Sequence, residues 1–346
     1  MNIIIDAMGG DNAPLEIVKG ALSGQKRWGV DVTLTGDTTA ILQALEACGE
    51  KTLPQGMEIV HTTETVEMCD DPATVFRRKK DTSMGVGLTM LRDGRADAMV
   101  SAGSTGALLT GATLIVKRIR GIRRAAMAPV IPTTTGQAVL IDCGANAECT
   151  PEYLVQFAYL GSYYAHRVLG VERPRVGLLN IGTEDSKGTT LQKEAYALLK
   201  NAGEKGLVNF VGNVEARDVP LGAVDVVVCD GFNGNVLLKT IEGTAMFMGS
   251  LMKKMFKKNL LSKLGYLLCA SGVKDLMKML DYREIGGTPF LGIRKPVIKA
   301  HGASDMLAFR NAVKQAADVA ASDITGELEE NLQRLAAEKE KVTEHD

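Results

Sequence analysis

Aromatic side chains make up only 5% of the 346 residues, with a single tryptophan, so the chain has few of the stacking platforms that readers of single-stranded nucleic acid rely on. Charge of one sign is lacking as well. Forty Lys and Arg stand against 41 Asp and Glu, a formal net charge of −1, which removes any global electrostatic case for a nucleic-acid partner. The six cysteines, Cys48, Cys69, Cys143, Cys149, Cys229 and Cys269, include no CxxC pair and no Cys/His cluster at zinc-ligand spacing, so a reducing cytoplasm and no structural metal are expected. No run of about 18 apolar residues is present to span a bilayer; the stretch 125–141 is cut by prolines and three threonines. The amino terminus, Met-Asn-Ile-Ile-Ile-Asp, has no basic segment ahead of a long apolar one, and is expected to be a first strand rather than a secretory signal.

What the chain does have is glycine, 37 residues of it, within a composition that is 45% hydrophobic. That is enough apolar material for a full core, in one large domain or two lobes. Short β-branched runs at 3–6, 32–36, 58–61, 98–101, 138–142, 176–181, 208–212 and 224–230 alternate with helical patterns, which predicts a βαβ architecture. The runs are apolar throughout, as parallel strands covered on both faces are. The expected fold is an α/β, Rossmann-like, three-layer α/β/α sandwich with a mostly parallel sheet, forming a single domain over 1–325. Residues 326–346, rich in Glu and Lys, are expected to be a solvated tail.

Glycine concentrates where these strands end: Asp6-Ala-Met-Gly-Gly-Asp-Asn-Ala-Pro14, Ser101-Ala-Gly-Ser-Thr-Gly106, Asp142-Cys-Gly-Ala-Asn146, Asn180-Ile-Gly-Thr-Glu-Asp-Ser-Lys-Gly188 and Asp230-Gly-Phe-Asn-Gly-Asn235. In a parallel sheet such loops leave the same carboxyl edge, where ligands bind. Gly9 and Gly10 let the backbone approach an anion ahead of a helix amino terminus, although Asp11 or Asn12 as a simple cap explains the same loop. Ser104 and Thr105 with Gly103 and Gly106 offer several donors. Lys187 sits in a Gly/Ser loop in the order Lys-Gly-Thr, which is not a P-loop, and is either a phosphate-binding cation or a solvated lysine. Asp230, Asn233 and Asn235 read as oxyanion donors or as ordinary turn residues. Lys299, His301 and Ser304 follow another apolar run without the Gly-x-Ser-x-Gly elbow of a serine triad. Cys143 and Cys229 each adjoin a strand-end aspartate, which makes a thiol a poorer nucleophile.

The segment 245–281 differs in kind. Leu251, Met252, Met255 and Phe256 fall at helical spacing opposite Lys253, Lys254, Lys257 and Lys258, and Leu260, Leu261, Leu264, Leu267 and Leu268 follow. A protruding amphipathic helical hairpin is expected, its apolar tip suited to packing, dimerisation or an anionic bilayer surface.

These loops, together with Pro174-Arg-Val-Gly-Leu-Leu-Asn-Ile-Gly182, the extension of the 230 loop to Lys239, and Lys299-Ala-His-Gly-Ala-Ser-Asp305, resemble the bacterial acyl-ACP:phosphate acyltransferases (PlsX) from residue 1 to about 315. The resemblance implies a fold akin to phosphotransacetylases and isocitrate dehydrogenase-type enzymes. It also implies a cytoplasmic homodimer linked peripherally to the membrane, and transfer of a fatty acyl group from acyl carrier protein (ACP) to inorganic phosphate, with no metal or redox cofactor. By position, Lys187 and Asn235 are the implied catalytic residues. Asp6, Gly9, Gly10, Asp11, Asn12, Gly103, Ser104, Thr105 and Gly106 are implied to hold phosphate, with Asn146, Asp230, Asn233, His301 and Ser304 as further substrate contacts. The basic run Arg77, Arg78, Lys79 and Lys80 is a candidate ACP contact, and the five hairpin leucines are candidates for the membrane or for a membrane-bound glycerol-3-phosphate acyltransferase. Three alternatives stay open: a phosphotransacetylase acting on short acyl-CoA, a dehydrogenase using Asp37 for a ribose, and a non-catalytic membrane scaffold.

Overall fold

In the computed structural model, which describes residues 1–324 together with 326 and 328, the chain begins β1 (Asn2–Asp6), α1 (Leu15–Trp28), β2 (Asp31–Gly36), α2 (Thr38–Ala47), β3 (Met57–His61). Two short helices, α3 (Val75–Arg78) and α4 (Ser83–Arg92), lead to β4 (Ala98–Ser101) and α5 (Thr105–Gly111), which a π-helical turn (Ala112–Val116) extends. Next come β5 (Ala126–Met127), β6 (Val130–Thr133), β7 (Gly136–Ile141), α6 (Pro151–Arg167), β8 (Arg175–Asn180), α7 (Thr190–Glu204), β9 (Asn209–Glu215) and β10 (Val226–Val228). The final part holds α8 (Gly231–Lys257), α9 (Leu260–Met279), α10 (Tyr282–Ile285), β11 (Gly287–Leu291), β12 (Val297–Ala300) and α11 (Met306–Ala321).

The strands divide between two mostly parallel sheets instead of forming one. The first has the order β3-β2-β1-β4-β12-β11-β5 and the second β6-β7-β10-β8-β9. The division falls where the apolar pattern is broken by proline. Residues 125–141 supply β5 at the edge of the first sheet and, after Pro129, β6 at the edge of the second, paired antiparallel to β7. Strand β11 also runs antiparallel to both neighbours and contains Pro289, which lacks a ladder donor. One buried apolar cluster nevertheless passes through both sheets, from Ile3 and Val100 to Ile141, Val176 and Val226.

Register brings the strand ends into line. In the first sheet Ile5 pairs with Val100 and Ser101 with Lys299, so Asp6, Ser101 and Lys299 meet at one carboxyl edge. In the second sheet Val228 pairs with Ile141 and with Leu178, which places the loops after Asp142, Asp230 and Asn180 at a common edge. The hairpin begins earlier than the apolar stripe suggests. Asp230 accepts from Asn233 N at 2.9 Å and caps a helix whose first turn is the double-glycine segment itself, so α8 starts fourteen residues before position 245. Beyond its root the pair α8–α9 is solvent-facing, and α9 buries no residue. Among the described residues no helix is long and apolar enough to cross a membrane. The expected tail from 326 onward lies outside the described residues, apart from 326 and 328.

Candidate active site

Asp6 ends β1 fully buried and accepts from the hydroxyls of Ser83 and Ser101, each at 2.7 Å. Burial raises its carboxyl above the ordinary range, against the pull of those hydrogen bonds. The following loop is folded onto this carboxylate. A Cβ at Gly9 would lie 2.5 Å from Asp6 Oδ2 and 2.8 Å from Gly103 N, and Gly10 has φ +103°, so side chains are excluded at both positions. Asp11 N donates to Gly302 O at 2.8 Å, while Asn12 Nδ2 donates to the carbonyls of Ala303 and Ser304. Neither residue caps α1, whose N-cap is Pro14. The loops after β1, β4 and β12 therefore form one unit.

Lys299 joins them. Its buried ammonium donates to Ala102 O at 3.2 Å and to Ala300 O, and burial pushes its pKa down to about 8, with Asp6 and Asp11 opposing. His301 is lowered by burial and by the ammonium groups of Lys239 and Lys299, which favours a neutral imidazole. Ser304 Oγ donates to the carbonyl of His301 at 2.6 Å.

On the other sheet, buried Asp142 gathers the backbone of its own loop and of β5. It accepts from the N–H groups of Met127 at 2.8 Å and Cys143 at 2.7 Å, and from Asn146 Nδ2 at 3.0 Å. Asn146 Nδ2 also donates to Ala125 O, which stitches the chain crossing between the sheets to this loop. Gly234 packs so tightly beneath that an added Cβ would fall 1.9 Å from Asp142 O. Asn233 directs its amide at Asp230 Oδ2, 2.6 Å away. Burial raises the thiols of Cys143 and Cys149 to about 12 and that of Cys229 well above its ordinary value, consistent with inert cysteines.

Between the two edges lies a cavity of about 420 Å³. Its lining mixes the polar side chains of Thr105, Asn235, Lys239, Glu242, Asp281, Lys299 and His301 with the apolar side chains of Leu238, Ile241, Ala245, Met279, Leu280 and Ile285. Met127 and Val130, from the segment that crosses between the sheets, contribute another wall. Of the expected residues, the fold brings Thr105, Asn235 and His301 to this wall. Asp6, Gly9, Gly10, Asp11, Asn12, Gly103, Ser104, Asn146, Asp230, Asn233 and Ser304 belong to the loops that shape it; Ser104 Oγ caps α5, accepting from Ala107 N. Lys187 lies outside the wall, exposed on the loop after β8, where Asn180 Nδ2 donates to its carbonyl at 3.1 Å. Lys239 and Glu242, ion-paired at 2.7 Å, also line the cavity and were not foreseen; their i,i+3 spacing on the face of Asn235 was the available signal. Lys79 is paired with Asp70 at 2.7 Å, while Arg77, Arg78 and Lys80 stay exposed. Asp37 caps α2, accepting from Ala40 N at 2.7 Å. Leu260, Leu261, Leu264, Leu267 and Leu268 are exposed, from 56% to 85%.

A family described as "Fatty acid synthesis protein" matches residues 1–326. A phosphate acyltransferase of Alkaliphilus oremlandii is 47% identical over 335 residues, covering 97% of this chain and 98% of that protein. Another, of Thermoanaerobacterium thermosaccharolyticum, is 44% identical over 335 residues with the same coverage. Among solved structures, a phosphotransacetylase from Streptococcus pyogenes matches with a TM-score of 0.60 at 18% identity, over 94% of each chain. EutD phosphotransacetylase from Staphylococcus aureus matches at 0.58 and 16%, covering 92% of this chain and 94% of that one. At such identities the structural matches speak for the fold. The sequence matches, nearly end to end, show that the chain belongs to the fatty acid synthesis protein family, among its phosphate acyltransferases.

Proposed function

We propose that the enzyme transfers a long-chain fatty acyl group from ACP to inorganic phosphate, releasing free ACP and an acyl phosphate that supplies glycerol-3-phosphate acylation. The observation that carries this reading is the mixed lining of the cavity: the Lys299 ammonium, the Lys239–Glu242 ion pair and the Asn235 amide beside the apolar side chains of Leu238, Ile241, Ala245, Met279, Leu280 and Ile285. Such a cavity suits a reacting centre that joins an anion to a lipid chain.

In this reaction a phosphate oxygen attacks the thioester carbonyl carbon. The new C–O bond pushes the carbonyl electrons onto oxygen, where the Asn235 amide donates to the developing oxyanion. Collapse breaks the C–S bond, and the carrier's thiolate leaves and is protonated from water. The glycine loops after β1 and β4 hold the phosphate with Lys299 beneath them, and Lys187 reaches it from its exposed loop. Arg77, Arg78 and Lys80 meet the acidic carrier. The exposed leucines of α9 support a peripheral contact, with the membrane surface or with a membrane-bound glycerol-3-phosphate acyltransferase, made by a cytoplasmic homodimer.

Donor competition tests the reading. With saturating phosphate, palmitoyl-ACP should give a kcat/KM at least about tenfold above acetyl-CoA, since burial of each methylene contributes about 0.8 kcal/mol. A preference for acetyl-CoA would assign the cavity to short acyl-CoA instead.

A further inference from the structure

Five of the eight residues 117–124, Lys-Arg-Ile-Arg-Gly-Ile-Arg-Arg, are basic in a chain whose net charge is only −1. The isoleucines hold this loop down: Ile119 and Ile122 are buried, and the basic residues around them face outward. Backbone bonds fix its frame. Ile119 N donates to Gly292 O at 2.9 Å and Arg294 N to Lys117 O at 3.0 Å, while Gln156 ties the loop to α6 through Gly121 O and Arg123 N, each at 2.9 Å. Arg294 and Lys295, in the turn between β11 and β12, thereby join the cluster. Lys117, Arg120, Arg123, Arg124, Arg294 and Lys295 are all exposed, and among the described residues none forms an ion pair with a carboxylate. Like charges held together without a counter-charge repel one another, and an acidic partner relieves that repulsion.

Water alone accounts for exposed charge, but two features of the adjoining chain ask for more. Lys117 adopts φ +76° and ψ 160°, a conformation that is essentially glycine's alone, so a lysine stands where the backbone favours glycine. It also ends the π-helical turn Ala112–Val116, a form found often at functional sites, and Leu114 of that turn is 58% exposed. An apolar side chain beside unpaired cations matches an amphipathic acidic helix. A bilayer surface needs a broader apolar face than one leucine provides.

Position relates this surface to the cavity. Thr105, at the start of α5, lines the cavity, and α5 with its π-helical turn carries the chain from there to Lys117, at most about 18 Å at 1.5 Å per residue. The prosthetic arm of an acyl carrier has about fifteen bonds between its serine and its sulfur, and extends about 18 Å at the roughly 3.5 Å per three bonds of an extended chain. Beside the same helix, Phe76 of α3 packs against Gly111, where an added Cβ would lie 2.8 Å from the ring, so exposed Arg77 and Arg78 adjoin the surface.

We propose that the loop 117–124, with Leu114 and the 294–295 turn, is the docking surface for the acidic acyl carrier protein. This rests on the acyl-transfer reading above and specifies where the protein part of the donor sits.

The test gives the full-length enzyme two donors, palmitoyl-ACP and palmitoyl-pantetheine, the second having the thioester without the acidic protein. The double variant Arg120→Glu/Arg123→Glu should lower kcat/KM for palmitoyl-ACP by about tenfold or more and flatten its salt dependence. Palmitoyl-pantetheine should stay within about twofold, which itself reports a folded variant. Equal loss with both donors, or an unchanged rate with palmitoyl-ACP, overturns the surface. Lys117→Gly separates docking from folding: Tm should hold or rise as the backbone conformation is relieved, while KM for palmitoyl-ACP rises about threefold; an unchanged KM contradicts the place of Lys117 in the surface. Anisotropy of fluorescently labelled holo-ACP supplies a readout independent of turnover, in which the double variant should bind more weakly than wild type, and equal binding contradicts the proposal. Lost binding to phosphatidylglycerol vesicles with ACP kinetics unchanged would give the patch to the membrane and overturn it. If the wild type makes no acyl phosphate from either donor, the transfer reading fails, and the surface is judged by ACP anisotropy alone.

Discussion

Ser101 Oγ donates to Asp6 Oδ2 at 2.7 Å, joining the ends of β1 and β4 beneath two glycine loops. Because Ser83 occupies the other carboxylate oxygen, truncation to Asp6→Ala leaves two buried hydroxyls without their acceptor. The expected loss of stability is about 1–3 kcal/mol, read by urea denaturation, together with a higher KM for phosphate. Unchanged values of both would show that this carboxylate does not organise the loops.

Lys299 supplies a pH dependence. Burial lowers its pKa to about 8, so the ammonium is lost as pH rises through that value, and kcat/KM for phosphate, which reports the free enzyme, should fall there. Stability moves the other way. The folded-state pKa lies below the ordinary value of 10.5, the unfolded chain binds more protons between the two values, and stability rises with pH in that window. Opposite trends in phosphate kinetics and thermal unfolding thus separate lost binding from unfolding. Lys299→Met should flatten the kinetic profile, and a profile identical to wild type contradicts the assignment.

Cysteine chemistry should be absent from turnover. With the buried thiols of Cys143 and Cys229 raised far above neutrality, iodoacetamide at neutral pH should label exposed Cys69 and Cys269 and spare these two, as peptide mass spectrometry would show. Cys143→Ala should retain activity within about threefold. Abolished activity in a folded Cys143→Ala protein would point to an acyl-cysteine route.

Asn235 and Lys187 should differ in kind. Asn235 lines the cavity, and Asn235→Ala should lower kcat by about a hundredfold, as loss of an oxyanion donor does. Lys187 is exposed on its loop, so Lys187→Ala should lower turnover by about tenfold or more, with part of the effect in KM for phosphate. Wild-type rates in a folded Lys187→Ala enzyme would remove that lysine from the reaction.

Much of this arrangement is legible in the sequence because parallel strands buried on both faces show as short apolar runs. Eight such runs overlap β1 to β4 and β7 to β10. The glycine loops at their ends are legible for the same reason, since a carboxyl-edge loop must turn sharply into a helix. What escaped is antiparallel and proline-interrupted: β5, β6 and β11 carry no alternation of their own, and the division into two sheets follows from them. The start of α8 escaped because Gly231 and Gly234 read as a turn, whereas Gly234 is set by contact with Asp142 O, a tertiary constraint that local propensity does not contain. Lys299 appeared among candidate residues, but its role depends on pairing with Ser101 across two strands nearly two hundred residues apart.

The most direct measurement incubates the purified protein with palmitoyl-ACP and inorganic phosphate, following free ACP thiol and hydroxylamine-trappable acyl phosphate together. The account predicts that both appear in equal amounts and only when phosphate is present. Thiol release without acyl phosphate, or no release from a folded enzyme, would contradict it.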